Sequence, residues 1–441
     1  MGTGNAGGGG SIYYYQLRYG LMRGFATANT DLGTDPNADS VTGCPEKQKD
    51  FGYRATHVMT VAAKSIVEQF YGQPASRAYF SGGSTGGHQA LSEAQRYPQD
   101  YDGIIAGCPG SNRTHLHAQF IWNLQATRTG DGSLMFTQEE LDKITARVVE
   151  RYAAQSGAAP GDNFLTDPRI AKVDMSIFDG LGLSSAQTAA LEKVYAGPVN
   201  PRTGKQIFPG IVPGSECHLG GLSWGQNSGF WMGIVGFPLR WAFGLDFDYR
   251  SFDFDKDMDK MDQQLARAVN ANSPDLSAFR DRGGRLLMYS GSTDTQVSTF
   301  DTIQYYERVV AHEGGLEQTQ QFARLFIVPG LGHMQAGPGI NDIGQVVSSP
   351  EVVQDSEHSI IDALMEWVEE GRVPERIVGT SYRNVDAFSG DGNGIRFQRP
   401  VYPYPLFPKY VGGDATKPES YVPEAHERSL EPASDPIYLD R

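Results

Sequence analysis

The sequence predicts an α/β core, a mostly parallel sheet packed between helices, with a second domain inserted into it. Three observations carry this. At 441 residues the chain exceeds the ~100–200 residues of one ordinary domain. A strand, a helix and a strand follow one another between Arg77 and Ala106, the order of a parallel α/β unit. The same strand–helix alternation returns near Arg285, after a long stretch of different texture.

In chain order, Phe25–Asn29 reads as a short strand ending in a turn at Asp31-Leu32-Gly33. Glu46 to Tyr71 reads as a long helix with Val58, Val61, Ala62, Ile66 and Phe70 on one apolar face. Arg77–Phe80 is a strand, His88 to about Tyr97 a helix, and Tyr101–Ala106 a strand. Thr137-x-x-Glu140 and Ser184-x-x-Gln187 are capping boxes, each opening a helix. Gly/Pro-rich loops and an aromatic stretch, Trp224 to Phe254, surround them. Strands return at Arg285–Tyr289 and Arg324–Val328, with helices at Thr299–Val310 and Ser356–Glu370. The boundaries predicted are a first core part over 1–128, an inserted, mainly helical and irregular domain over 129–271, a second core part over 272–400, and a Pro-rich tail over 401–441 without regular structure.

Composition excludes several classes. Lys and Arg number 37 against 52 Asp and Glu, and the net charge of −15 disfavours nucleic acid or an anionic membrane as partner. Hydrophobic residues at 39% and aromatics at 11% argue against disorder. No apolar run approaches the ~18 residues of a membrane span. Cys44, Cys108 and Cys217 allow at most one disulfide. Met1 leads directly into a Gly-rich run, so no signal peptide is visible; localisation and oligomeric state stay open.

The chemistry concentrates in Gly82-x-Ser84-x-Gly86, between a strand and a helix. This is the setting of a nucleophile elbow, where a sharp turn exposes a serine hydroxyl and tolerates only small neighbours. Such a serine needs a base, and the base an orienting acid. α/β-hydrolases supply them in the order Ser, acid, His. Asp294 follows the strand ending at Tyr289, and His333 follows the strand ending at Val328. Both fall where function collects, past the carboxyl ends of strands. The expected triad is Ser84, Asp294 and His333. The expected oxyanion donors are the backbone N–H groups of Thr85, directly after the nucleophile, and of Gly7, in the one early Gly-rich loop.

Other motifs are weaker. Asp253-x-Asp255-x-Asp257-x-Asp259 starts like an EF-hand but has Met258 where glycine is needed and Gln264 at the twelfth position. His115-x-His117 lacks a third ligand and reads as a polar helix start. Trp231, Phe237 and Trp241 are candidates to line an aromatic pocket, with Arg240, and more weakly Arg250, to meet a substrate carboxylate.

These residues resemble the tannase/feruloyl esterase family. The matching stretches are Gly2–Gly7, Arg23–Asp31, Asp50–His57, Ser84–Gly87, Glu93–Pro98, Asp102–Gly107, Val328–His333 and Arg399–Pro405. The resemblance implies an α/β-hydrolase core with a lid, and hydrolysis of esters of aromatic acids of feruloyl (hydroxycinnamoyl), galloyl or terephthalate type. It assigns Ser84 as nucleophile, His333 as base and Asp294 as orienter, and it suggests a secreted or periplasmic setting. Three departures stand out. The family joins a Cys before the serine to a Cys after the histidine by a disulfide; Gly83 and Met334 occupy those positions, and Tyr402 replaces a tail Cys. The family's lid carries an Asp-rich calcium loop, whereas here Ala158–Asn163 and Asp167 retain few acidic ligands, so no cofactor is expected, calcium included. The family also has a longer N-terminal portion, so early strands are expected to be missing or replaced. Two alternatives remain on the sequence: an acyltransferase on the same fold, and a non-catalytic binding protein on a hydrolase scaffold.

Overall fold

The computed structural model describes residues 1–130, 133–217, 236–335, 337–345, 349, 351–385 and 392–427. At the centre, five parallel strands lie in the order β1 (Gly2–Thr3), β2 (Tyr79–Gly83), β3 (Gly103–Gly107), β4 (Arg285–Gly291) and β5 (Ala323–Val328). Successive side chains point to opposite faces of a strand. Phe80, Ile104, Leu286, Met288 and Leu325 therefore pack on one side, against Leu91 of helix Thr85–Arg96 and Ile303, Tyr306 and Val309 of helix Thr299–His312. Tyr79, Ile105, Leu287, Tyr289 and Phe326 pack on the other, against Ile360, Leu364 and Trp367 of helix Ile360–Glu370. Both faces are dry, as parallel sheets require.

Register decides what the sheet can do. Gly83 pairs with Gly107, Gly107 with Tyr289, and Gly291 with Val328. The ends of β2 and β3 thus stand level, β4 and β5 run two residues further, and the loops that follow all four emerge at one edge.

The chain between β3 and β4 holds helix Arg113–Ala126 and an insertion with its own core. There Leu141, Ile144, Val148 and Tyr152 of helix Gln138–Tyr152 pack on Leu191 and Val194 of helix Ser185–Ala196. Both capping boxes are formed.

Three expectations are corrected. The helical stretch after Pro45 runs through a π-helical turn, Asp50–Arg54, into helix Ala55–Tyr71. Its apolar stripe does not face the core: Val58, Val61, Ile66 and Phe70 are exposed, and the buried positions are Thr56 and Thr60. A 3.6-residue period marks a stripe but does not say what covers it. Accordingly, Val58→Ser or Val61→Ser is expected to change folding stability by less than ~0.5 kcal/mol in chemical denaturation, as for an exposed site; a loss typical of a core site would contradict this placement.

The expected strand Phe25–Asn29 contributes one bridge, Ala28 to Gly2. The strand beside β2 is instead Gly2–Thr3, whose small residues gave no strand signal: a Cβ on Gly2 would meet Phe80 and Tyr101. Third, the Pro-rich tail is not irregular. Ahead of it β6 (Ile377–Val385) and β7 (Gly392–Val401) form one antiparallel pair, and within it β8 (Leu406–Tyr410) and β9 (Tyr421–Ala425) form another. Proline lacks a donor but fits a strand with an open edge. A two-stranded ribbon has two such edges, and Pro408 stands opposite Pro423 in this one.

Candidate active site

Ser84 leaves β2 with φ 61° and ψ −118°, a left-handed conformation that costs a non-glycine residue strain. Its surroundings hold it there. The Ser84 N–H donates to Gly107 O at 2.9 Å, and Ser84 O accepts from the N–H groups of His88 (3.1 Å) and Gly110 (3.2 Å). The glycines around it are obligatory for close approach. A Cβ on Gly82 would lie 2.6 Å from Gly86 backbone, and one on Gly4 2.4 Å from Gly86 Cα.

Asp294 is fully buried after β4. One carboxylate oxygen accepts from the N–H groups of Gln296 and Val297, both at 3.0 Å; the other meets His333 Nδ1 at 2.9 Å. His333 is mostly buried, and its loop is pinned to that of Asp294: Thr293 donates to Leu331 O through N–H (3.0 Å) and hydroxyl (2.8 Å). Ser84 Oγ makes no hydrogen bond among the described residues. Catalytic hydrogen bonds are commonly long before substrate binds. The two halves are nevertheless neighbours: a Cβ on Gly83 would be 2.9 Å from Met334 Cε. The Met334 side chain thus packs directly on the residue before the serine.

The Gly-rich loop is also fixed. Asn5 N–H donates to Gln89 Oε1 (2.8 Å), Gly86 N–H to Asn5 O (2.8 Å), and Thr85 Oγ1 to Gly7 O (2.6 Å). Thr85 opens its helix, where N–H groups lack intrahelical acceptors. Thr85 and Gly7, both expected at an oxyanion site, are therefore bound to each other beside Ser84.

Of the expected pocket residues, Trp231 lies outside the described residues, with Trp224 and Phe230. Phe237 is buried against Phe51 and Trp241, with its ring edge about a van der Waals contact from a Cβ on Gly8. Trp241 is a core residue whose indole N–H donates to Ala38 O at 2.7 Å. Arg240 is committed to Asp39 (2.8 Å) and to Asn37 O. Arg250 pairs with Asp248. His115 bridges Ile207 O and Asp262, so it is a structural tie rather than a metal ligand.

Two residues near the site carried no sequence motif. The Cys108 thiol groups with Asp294 and His333, their polar atoms all within 4.8 Å of one another. Burial first, then the Asp294 charge, pushes the thiol up, so it stays protonated and does not compete as nucleophile. The other, Arg113, lies under Thr85. All three cysteines are free. A thiol reductant is accordingly expected to leave activity unchanged; a marked loss would require a bridge that this arrangement does not contain.

A five-stranded parallel sheet with a strained serine elbow at its carboxyl edge is an α/β-hydrolase fold. The chain belongs to the tannase and feruloyl esterase family, whose model matches residues 2–423. It is similar to an uncharacterized esterase of Xanthomonas campestris pv. campestris, 33% identical over 94% of this chain and 77% of that one. It is also similar to the mono(2-hydroxyethyl) terephthalate hydrolase of Piscinibacter sakaiensis, 29% identical over 93% and 74%. Feruloyl esterase B from Aspergillus oryzae superimposes with a TM-score of 0.85 at 25% identity, over 96% of this chain and 84% of that one. The protein is thus a carboxylic ester hydrolase. No described helix is long and apolar enough to cross a membrane.

Proposed function

We propose that the protein hydrolyses esters of aromatic acids through Ser84, His333 and Asp294, by way of an acyl-enzyme. The observation that carries this is the buried Asp294–His333 hydrogen bond at the same sheet edge as the strained Ser84. Ser84 Oγ attacks the ester carbonyl carbon while His333 Nε2 takes its proton. The carbonyl oxygen becomes an oxyanion beside the N–H groups of Thr85 and Gly7. Asp294 Oδ2 holds Nδ1–H and stabilises the imidazolium. The intermediate collapses, the alcohol leaves with the proton from His333, and the acyl group stays on Ser84. Water, deprotonated by His333, then attacks the acyl carbon; the second intermediate collapses, the acid leaves, and His333 returns the proton to Ser84 Oγ.

The acyl class rests on the feruloyl and terephthalate relatives. The test is a hydrolysis panel of methyl ferulate, methyl gallate and mono(2-hydroxyethyl) terephthalate beside an aliphatic methyl ester. An aromatic ester should have the highest kcat/KM; preference for the aliphatic ester would reject the acyl class.

No metal enters this mechanism. At the stretch that the resemblance sets against a calcium loop, Asp162 accepts both contacts of Arg399 Nη1 (2.8 and 2.9 Å), and Asp167 is held by Arg169 and His426. Cations of the protein itself neutralise these carboxylates, and a hard cation needs several free oxygens. EDTA is therefore expected to leave both activity and Tm unchanged; a Tm drop restored by calcium would overturn this reading.

A further inference from the structure

Helix Arg113–Ala126 starts with a guanidinium in an unusual place. Arg113 is 4% exposed and lies between the rings of Phe51 and Phe237, 5.7 and 5.9 Å from their centroids. Its hydrogen bond is Nη2 to Thr85 Oγ1 at 3.2 Å, while Nε is buried without an acceptor. Among the described residues no carboxylate pairs with it. The neighbouring His88 supplies no counter-charge, since burial and then Arg113 itself lower its pKa and keep it neutral. Burial brings the Arg113 guanidinium down to about 9, which leaves it charged at neutral pH.

An unpaired buried charge is costly and is ordinarily paired or removed. Here it stands one hydrogen bond from the residue that follows the nucleophile. Thr85 Oγ1, which receives the Arg113 N–H, donates its own proton to Gly7 O at 2.6 Å. The chain of bonds runs from the cation to the elbow and then to the Gly-rich loop, joining the two segments expected to supply the oxyanion donors.

We propose that Arg113 is a positioning residue for the oxyanion hole, fixing the Gly7 loop against the elbow through the Thr85 hydroxyl and placing a preorganised positive charge behind both donors. The inference rests on the proposed Ser84 reading. Negative charge forms on the carbonyl oxygen only on the way to the tetrahedral intermediate, so the benefit falls on kcat and not on substrate affinity. The Arg113 charge, which no carboxylate pairs among the described residues, is then matched by the charge that the reaction creates.

The experiment compares the wild type with Arg113→Met, Arg113→Lys, Thr85→Val and the Met/Val double variant. Substrates are p-nitrophenyl acetate, which has no carboxylate, and mono(2-hydroxyethyl) terephthalate, which has one. Arg113→Met should lower kcat about 10- to 100-fold on both, with KM within threefold, and weaken inhibition by phenylboronic acid, a tetrahedral-adduct former, by a similar factor. Arg113→Lys should recover part of the loss. The double variant should be no worse than its worse parent, because both changes break one chain of bonds. Unchanged kcat in Arg113→Met would overturn the proposal. A KM increase confined to the carboxylate-bearing substrate would also overturn it, making Arg113 a substrate-binding group. If Arg113→Met does not fold, Arg113→Lys and Thr85→Val decide alone, and full activity in both rejects the idea. Ser84→Ala in the same assay separates the two claims: activity there would reject the underlying mechanism, whereas an inactive Ser84→Ala beside a fully active Arg113→Met would reject this inference only.

Discussion

Ser84→Ala is expected to lower kcat by about 10⁴- to 10⁶-fold, leaving only what binding and the oxyanion donors contribute. The protein should remain folded. Ser84 Oγ makes no hydrogen bond among the described residues, so its removal leaves no orphaned partner. The elbow is held by backbone bonds, to Gly107 O from one side and from His88 and Gly110 N–H on the other, and alanine keeps all of them. Thermal unfolding measured beside kcat checks both halves. Residual activity within tenfold of wild type, in a sample free of wild-type contamination, would remove Ser84 from the mechanism.

The second large effect is expected at Asp294→Asn, and its cause is a tautomer. The carboxylate oxygen facing Gln296 and Val297 accepts from two N–H groups. An amide placed there can keep those bonds only by turning its oxygen toward them. Its NH₂ must then point at His333 Nδ1, where the native oxygen lies at 2.9 Å. A donor in that position makes Nδ1 the acceptor and leaves the proton on Nε2, so the imidazole no longer accepts from the serine. A fall in kcat of about 10⁴-fold at neutral pH follows. Asp294→Ala should lose a similar amount of activity and also stability, because it abandons two buried N–H groups. A kcat within tenfold of wild type in Asp294→Asn would show that the imidazole is not oriented this way.

How much of this was legible in the sequence depended on how local the signal was. The elbow, Asp294 and His333 each follow a strand by one to five residues, so the strand pattern itself brings them to one edge once the register is set. Both capping boxes were legible because side chain and backbone three residues apart bond directly. The stripe of helix Ala55–Tyr71 is legible but its exposure is not, because periodicity reports a face and not its partner. β1 was missed because Gly2–Thr3 is a strand only by virtue of pairing with Phe80 and Ser81, some eighty residues away. The β8–β9 ribbon of the tail is hidden in the sequence because proline content argues against strands, yet proline fits the open edges of a two-stranded ribbon. Arg113 was invisible for a different reason. Nothing in Asn112-Arg113-Thr114 distinguishes it from a surface arginine; its meaning comes from burial beside Thr85 with no carboxylate partner among the described residues.

The most direct test of the central claim is to trap the nucleophile. Treatment with a fluorophosphonate, followed by proteolysis and peptide mass spectrometry, should give one adduct per chain, on Ser84, formed at a rate that Asp294→Asn slows sharply. An adduct on another residue, or enzyme that is fully active while Ser84 remains unlabelled, would contradict the account.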